Sequence, residues 1–489
     1  MRVLFFNPAD YLGIGIPQGI ALLSAILKQE GHEVDLFDTT FIKTKQPHIE
    51  SRAGLMLHKK TPYTIYDLVK DDPIVDLVEE FQRKIDGFKP DLLAVSVMTT
   101  NYNLMIDLLS KVNINCPVIV GGVHPTLVPQ EVISREEIDI ICVGEGEEAL
   151  PELCKAIENN EDYTQIKNLW VTQKEGIIHK NPLRPLFDLN KLPCPDWSLF
   201  DKRHLFRPFM GKMYTGGFYL SSRGCPGSCT YCVNRTLREM FVGKGNYFRF
   251  QEAEVTARHL IELKEKYGAT WLKFGDDTFL LQPMENLRKL RDLIKPFGIN
   301  FGCSVRPDTI TDEKVKVVKE MGCVAMSIGV ETGNERIRKE VLCRMISDTQ
   351  MEESLTIINN HNIRISTFNL IGLPGETREN VFETIEFNRK MGVIAANVCV
   401  VYPFPGSQMF IQNKINNKDQ GGNIFPMSEG SSFNLSNMSK KEVDGLKKTL
   451  NLYIILPKEM WPIIKLAEDD TDFSNELFHS LCEYANTLV

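Results

Sequence analysis

The chain has 489 residues, of which 43% are hydrophobic and 25% are charged, and its formal net charge is −8. A single hydrophobic core stops growing at roughly 250–300 residues, so this length predicts two or three domains. No apolar run approaches the roughly 20 residues of a membrane-spanning helix, and the negative charge argues against a nucleic-acid partner, which leaves a small molecule or a peptide as the expected substrate.

Residues 1–160 alternate short apolar strands with helices, which predicts a Rossmann-like α/β domain with a parallel sheet. The expected helices include Gln18–Glu30 and Asn103–Val112. Residues 45–85 form a charged insertion whose role the sequence does not indicate. The first strand turns polar too early for a secretory signal, so we expect a cytoplasmic protein. The expected strands are Val3–Phe6, Glu33–Asp38, Leu92–Val97, Pro117–Val120 and Ile138–Val143.

Residues 161–215 contain scattered prolines, which disfavour helices and central strands, and we interpret them as a loop-like linker. Residues 216–410 then repeat a strand–helix unit six times, which predicts a partial (β/α)6 barrel, and residues 411–489 look mainly helical. Parallel folds of this kind place their chemistry in the loops after the strands. The expected strands are Phe218–Ser221, Trp271–Phe274, Asn300–Ser304, Ala325–Gly329, Arg364–Leu370 and Ala396–Val401.

Three cysteines fall within eight residues of the loop after the first barrel strand: Cys225, Cys229 and Cys232. Three thiolates can hold a cubane iron–sulfur cluster and leave its fourth iron without a protein ligand. The alternatives are a zinc site or three unrelated buried cysteines. Zinc usually recruits a fourth Cys or His nearby, and the next cysteine along the chain is Cys303. The other nine cysteines lie isolated, mostly in apolar settings, and are interpreted as core residues.

The C-x-x-x-C-x-x-C pattern, with the aromatic Tyr231 before its last cysteine, resembles the radical S-adenosylmethionine (radical SAM) superfamily. This resemblance implies a [4Fe–4S] cluster and S-adenosylmethionine (SAM) as cofactors. It also implies that SAM chelates the open iron through its amino and carboxylate groups and is cleaved there to a 5′-deoxyadenosyl radical.

The loops after the later barrel strands hold residues that match SAM contacts of the superfamily. By this resemblance, Asp276 or Asp277 faces the methionine ammonium, Glu331 accepts from the ribose hydroxyls, and the turn with Gly372 and Pro374 contacts the adenine. Tyr402, after the last strand, resembles a segment near the adenine; the alternative is a rigid exit turn. Arg306 holds the SAM carboxylate or bridges to a neighbouring acid, and the sequence does not decide between the two.

The N-terminal domain resembles the cobalamin-binding domain that precedes the barrel in one large radical SAM subfamily. Its glycines would let the backbone approach the macrocycle and its nucleotide tail. The alternative is a nucleotide-binding or ligand-free Rossmann-like domain, although no G-x-G-x-x-G follows the first strand. The candidate cobalamin contacts are Pro8, Tyr11, Leu12, Gln18, Ser96, Thr99, Gly121, Gly122, His124, Gly144, Glu145, Gly146 and Glu147.

The loop after the first strand lacks the D-x-H-x-x-G pattern of proteins that place a histidine on cobalt. We therefore predict cobalt without a histidine ligand, its lower face covered by Tyr11, Leu12 or a water. His124 is the nearest alternative ligand, but a His-Pro step after a strand is more typical of a turn.

The resemblance implies a radical SAM cobalamin-dependent methyltransferase of class B type, which methylates an unactivated carbon or phosphorus and draws electrons from a donor such as flavodoxin or ferredoxin. The alternative enzyme is a radical cyclase or rearrangement enzyme with the same cofactors. Methylthiolation is disfavoured because those enzymes carry a different N-terminal domain. Outside catalysis, the alternative is a cobalamin sensor or carrier. The apolar segment from Tyr453 to Ile464 is interpreted as helix packing rather than a substrate wall.

Overall fold

The computed structural model describes residues 1–45, 65–173, 176–416 and 437–488. Most of the first half of the charged insertion predicted at residues 45–85 lies outside the described residues. The described remainder contains a 3-10 turn at Ile65–Leu68 and a helix at Leu77–Phe88. Among the described residues, no helix combines the length and the apolar character needed to cross a bilayer.

The N-terminal sheet has seven strands in the order β2-β1-β3-β4-β5-β6-β7. Its first five strands pair in parallel, and β6 and β7 add on in antiparallel fashion. The strands are β1 (Arg2–Asn7), β2 (Glu33–Asp38), β3 (Leu92–Ser96), β4 (Val118–Gly121), β5 (Ile140–Cys142), β6 (Leu169–Thr172) and β7 (Ile178–Lys180). The helices that cover it include α1 (Gln18–Gln29), α2 (Leu77–Phe88), α3 (Tyr102–Leu109), α4 (Val123–Leu127), α5 (Pro129–Ile133) and α6 (Ala149–Glu158).

Strand β1 lies inside this sheet, between β2 and β3, and is buried on both faces. Side chains alternate along a strand, so Val3 and Phe5 join one apolar cluster while Leu4 and Phe6 join another with Phe81 of α2. Burial on both faces explains why the sequence shows a continuous apolar run here rather than an alternating one.

The interpretation of residues 161–215 as loop-like is wrong in part. This segment contains β6 and β7, and its end forms β8 (Phe206–Phe209) and the start of β9 (Lys212–Tyr219). The prolines that suggested a loop fall between strands, except for Pro208, which is exposed on the edge strand β8, where proline is tolerated. The domain boundaries at residues 160, 215 and 410 remain a prediction.

The second sheet has the order β16-β15-β14-β13-β12-β9-β8, and its strands from β9 to β16 are parallel, as the partial barrel predicts. Its further strands are β12 (Trp271–Phe274), β13 (Asn300–Val305), β14 (Cys323–Glu331), β15 (Arg364–Ile371) and β16 (Ala396–Val400), and a small ribbon pairs β10 (Ser222–Arg223) with β11 (Arg249–Phe250). The following helices are α7 (Asn234–Met240), α8 (Ala253–Tyr267), α9 (Met284–Ile294), α10 (Asp312–Met321), α11 (Asp348–Asn360), α12 (Arg378–Lys390) and α13 (Gln408–Asn416).

The C-terminal region is helical, as predicted, and packs on the last barrel strand. Its helices are α14 (Lys440–Ile455), α15 (Trp461–Leu466) and α16 (Asp472–Asn486). Asn451 of α14 bonds both the amide and the carbonyl of Ala396 at the start of β16. Tyr453 is buried against Phe382 and Trp461, so this apolar segment serves helix packing. The predicted fold class is confirmed.

The carboxyl end of the N-terminal sheet lies against β9 and against the turn that precedes β8. Gln18, which opens α1, donates from Nε2 to the Phe218 carbonyl of β9 at 2.7 Å. The amide of Gly15 donates to His204 Nδ1 at 3.3 Å, and His204 Nε2 lies 2.8 Å from Asp38. The loops of the N-terminal domain that are predicted to bind cobalamin therefore face the barrel.

Candidate functional site

The three motif cysteines lie in the loop between β10 and α7. Cys225 and Cys229 are 8% and 7% exposed, and Cys232 is half-buried. Burial raises the pKa of Cys225 and raises that of Cys232 to about 11. Binding of a metal cluster therefore has to displace protons from thiols that are otherwise neutral.

Each of the three sulfurs lies near a hydrogen-bond donor. Such donors and nearby cations stabilise thiolate charge and tune iron–sulfur clusters, so the residues present fit a cluster with three cysteine ligands. Among the described residues, no three His, Cys, Asp or Glu side chains converge closely enough to hold a single metal ion. The pairs are Gly227 N to Cys225 Sγ (3.4 Å), Arg306 Nη1 to Cys229 Sγ (3.5 Å) and Asn234 N to Cys232 Sγ (3.5 Å).

Asp277 ties together the two ends of the cysteine loop. Its Oδ2 accepts from the Gly224 amide at 3.1 Å, and its Oδ1 accepts from Asn234 Nδ2 at 2.9 Å. Asp276 lies deeper, 2% exposed, and accepts from the hydroxyls of Ser221 and Ser222. Burial raises the pKa of Asp276 to about 6. Protein donors engage both carboxylates, and their predicted contact with the SAM ammonium remains a prediction.

A buried arginine that the sequence analysis missed links the cysteine loop to Glu331. Arg344 is 3% exposed, and its Nη2 donates to the Gly329 carbonyl at 2.7 Å. Its Nη1 lies 3.2 Å from the hydroxyl of Tyr231, 3.4 Å from Glu331 Oε1 and 4.0 Å from Cys229 Sγ. Burial raises the pKa of Glu331, and this guanidinium opposes the effect. No motif marks Arg344, because it follows an irregular segment and acquires its role only through tertiary contacts.

The carboxylate of Glu376 shapes the turn that is predicted to contact the adenine. Its Oε2 accepts from the amides of Gly372 and Leu373 at 2.7 and 3.1 Å. Gly372 has a φ of +76°, a conformation that favours glycine. Burial raises the pKa of Glu376 to about 7. Pro374 lies in the same turn, and Tyr402 packs edge-on against the ring of Phe404.

Arg306 shows one of the two arrangements that the sequence left open. Its Nε and Nη2 donate to the two carboxylate oxygens of Asp308 at 3.0 and 2.7 Å, which forms a bidentate bridge. The remaining Nη1 points at Cys229. The contact of Arg306 with a SAM carboxylate remains a prediction.

The predicted cobalamin contacts gather at the carboxyl end of the N-terminal sheet. Tyr11 packs with Phe41 and Val69, while Leu12 has a φ of +61°. His124 is fully buried, its Nδ1 lies 3.1 Å from Thr99 Oγ1, and burial lowers its pKa to about 4. These contacts orient His124 within the protein. The remaining members of the predicted set in these loops are Pro8, Ser96, Gly121, Gly144 and Gly146.

Gly122 shows a backbone requirement for glycine. Its φ is +110°, and a Cβ at this position would lie 2.5 Å from the Val97 carbonyl oxygen. The chain passes here between β4 and the short helix α4. A larger residue would force the loop away from the edge of the sheet, where the cofactor is predicted to bind.

Glu145 and Glu147, predicted as cobalamin contacts, form an ionic bridge to the barrel. Glu145 Oε1 lies 2.6 Å from Arg249 Nη2 and 2.9 Å from Arg223 Nη1, and Oε2 accepts from the Phe187 amide at 2.8 Å. Arg223 also pairs with Glu147. Burial alone would raise the pKa of Glu145, but the two arginines lower it to about 2. Because Arg223 lies two residues before Cys225, this bridge joins the predicted cobalamin loop to the cysteine loop.

Family models match two parts of the chain: the radical SAM superfamily at residues 219–387 and the B12 binding domain at residues 59–154. A methyltransferase of Pyrococcus horikoshii described as uncharacterized is 26% identical over 406 residues, which cover 81% of this chain and 78% of that protein. An anaerobic magnesium-protoporphyrin IX monomethyl ester cyclase of Rubrivivax gelatinosus is 22% identical over 429 residues, with coverages of 84% and 69%.

A similar fold occurs in the structure of the radical SAM methyltransferase TsrM from Kitasatospora setae, which has cobalamin and a [4Fe–4S] cluster bound. The TM-score is 0.63 at 18% identity, and the match covers 85% of this chain and 75% of that chain. The likeness extends across both domains described above, and at this identity it bears on the fold alone.

Proposed function

We propose that this chain, which belongs to the radical SAM family and carries a B12-binding domain, transfers a methyl group from SAM to an unactivated carbon or phosphorus of a small molecule. The observation that carries the proposal is the bridge from Glu145 to Arg223. It places the loop predicted to bind cobalamin against the loop that carries the three cysteines. A substrate between the two loops could meet both cofactors.

The bound cluster and cobalamin would supply radical formation and methyl carriage: per turnover, two SAM molecules and two electrons yield methylated product, S-adenosylhomocysteine, 5′-deoxyadenosine and methionine. The protein provides placement and exclusion of water. Cys225, Cys229 and Cys232 would hold the cluster, and Asp277 would fix the shape of their loop. Arg306, beside Cys229, is suited to the SAM carboxylate.

The remaining SAM contacts are proposed from the walls around this loop. Glu331 accepts hydrogen bonds and is held by Arg344, so it is suited to ribose hydroxyls. The Gly372 turn, held by Glu376, offers backbone at the edge of the barrel for the adenine. Both carboxylates are buried, so their orientation is fixed before SAM arrives.

The second candidate function is radical cyclisation without methyl transfer, and the similarity to the Rubrivivax gelatinosus cyclase favours it as the alternative. The same residues would serve both reactions, since both need SAM cleavage beside cobalamin. The two differ in the fate of the SAM methyl group.

We place the reaction in the cytoplasm, with an external electron donor such as flavodoxin or ferredoxin. Apart from Cys399, the cysteines of the described residues form no disulfide, which favours a reducing compartment. An electron donor is needed because each turnover consumes two electrons.

The test is an anaerobic assay of the reconstituted holoenzyme with methyl-labelled SAM and candidate metabolites. Equal amounts of S-adenosylhomocysteine and 5′-deoxyadenosine, with label in the product, are expected for the methyltransferase. Formation of 5′-deoxyadenosine without label transfer would establish the cyclase alternative. Absence of both SAM-derived products would reject both functions.

A further inference from the structure

The inner face of the barrel sheet carries a lysine. Lys273 lies on β12 between Leu272 and Phe274, which are both fully buried in the core beneath the helices. Because side chains alternate along a strand, Lys273 projects from the opposite face, into the barrel. Its register partner on β13 is Gly302, which has no side chain to obstruct it, and its ammonium reaches Ser327 Oγ on β14 at 3.0 Å.

Lys273 has a neutral partner only. Ser327 Oγ also accepts from Ser366 Oγ at 2.9 Å, so its two lone pairs are used and its own O–H is free to donate. Within the described residues, the structure gives Lys273 no carboxylate partner. Lys273 is half-buried, its partial burial lowers the pKa of the ammonium, and a partly desolvated cation without a counter-ion is costly until an anion joins it.

The rest of this inner face carries apolar, neutral polar and positively charged side chains. Phe218 and Phe368 lie on this face within their strands, yet they are 37% and 39% exposed. Arg364 lies in the same row of paired strands as Lys273 and forms no ion pair with the described residues; it packs over a phenylalanine ring. Among the described strand residues that share this face, Glu331 is the acidic one, and Arg344 neutralises it.

We infer that the substrate carries an anionic oxyacid group, a carboxylate or a phosphate-type group, which Lys273 and Ser327 bind inside the barrel while Phe218 and Phe368 contact its apolar part. This inference rests on the proposed function, because it assigns the substrate class of the same site. The ammonium and the free hydroxyl hydrogen would donate to two oxygens of the anion. The exposed rings would exclude water around it.

The test uses phenylphosphonate as the probe, which combines an aromatic ring with an oxyanion. Its 31P relaxation is measured with the reconstituted holoenzyme in the Co(II) state and saturating SAM, because paramagnetic centres accelerate the relaxation of nuclei bound near them. The wild type is expected to accelerate relaxation, and Lys273→Gln is expected to weaken probe binding at least tenfold, since a charge-assisted contact is lost. Lys390→Gln is the matched control, because Lys390 forms an exposed surface pair with Glu352, and it is expected to behave as the wild type.

The inference would be overturned by the absence of a relaxation effect in the wild type, by equal binding to Lys273→Gln, or by equal binding of neutral benzyl alcohol, which is followed by its proton relaxation. Displacement of the probe by SAM would also overturn it, since Lys273 would then serve the SAM carboxylate. The proposed function fails independently of these outcomes, because production of S-adenosylhomocysteine and 5′-deoxyadenosine by the wild type does not depend on probe binding.

Discussion

Replacing Glu145 by glutamine should loosen the contact between the two cofactor loops by about 3 kcal/mol. The side chains of Glu145, Arg223 and Arg249 are 15–22% exposed, and removing one partner of a buried ion pair costs about 3–5 kcal/mol, so this partly open site belongs at the lower end. The pKa of Glu145 gives a free energy of the same size, because its fall from 4.5 to about 2 corresponds to about 3 kcal/mol in favour of the ionised carboxylate.

Hydrogen exchange measured by mass spectrometry tests this prediction. A loss of about 3 kcal/mol accelerates exchange through local opening about 100-fold, and we expect this in peptides around Phe187, whose amide donates to Glu145. The control is Glu239→Gln, which removes an exposed helical pair with Arg235 and should change exchange about twofold at most. An effect of Glu145→Gln no larger than that of the control would show that the Glu145 bridge does not hold the two loops together.

The pH dependence follows from the lowered pKa of Glu145. Because its pKa is about 2 in the folded protein and ordinarily 4.5, the ionised form contributes stability that is fully present above pH 4.5 and is lost as the pH falls toward 2. After correction for intrinsic exchange rates, the difference between the wild type and Glu145→Gln should be constant from about pH 7 to 5 and shrink below that range.

Three further predictions concern single residues. Gly122→Ala should lower the free energy of unfolding by about 3 kcal/mol and weaken cobalamin binding, because a clash with the backbone adds to the strain of a positive φ. Gly31→Ala is the control, since Gly31 also has a positive φ but lies in open space, and it should cost about 1 kcal/mol. Equal losses for the two variants in urea unfolding would contradict this. Arg344→Met should cost about 3–5 kcal/mol in the same assay, and adding Glu331→Gln should recover part of that loss; no recovery would count against the ion pair. The Co(II) resonance spectrum should lack nitrogen coupling from a protein imidazole and should not change in His124→Gln.

Much of the fold is predictable from local pattern. Buried strands such as β1 and β3 were predicted to within two residues, because their apolar runs are continuous and bounded by polar residues. Strands β6 and β7 were missed because they have only four and three residues. Pairing at the edge of the sheet, rather than sequence pattern, determines them.

In the candidate site, too, the residues that a local sequence pattern marks were predicted, and the contacts that only the folded chain creates were not. The cluster site could be predicted from the sequence, because the spacing of its ligands along one loop is a local pattern; these ligands are Cys225, Cys229 and Cys232. Arg344 could not be found, since it meets Tyr231 and Glu331 only after the barrel has closed. Glu145 was predicted as a cofactor contact, and its ionic bridge to the barrel depends on the docking of two domains, which no local pattern encodes.

The proposed function requires that Cys225, Cys229 and Cys232 hold a cubane cluster with one iron open to SAM. Electron paramagnetic resonance of the anaerobically reconstituted and reduced protein, with and without SAM, measures this. We expect a [4Fe–4S]⁺ signal that changes when SAM is added, is retained in the control Cys116→Ala, and is absent when all three cysteines are replaced by alanine. A signal that survives the triple replacement, or one that SAM leaves unchanged, would show that these cysteines do not hold such a cluster.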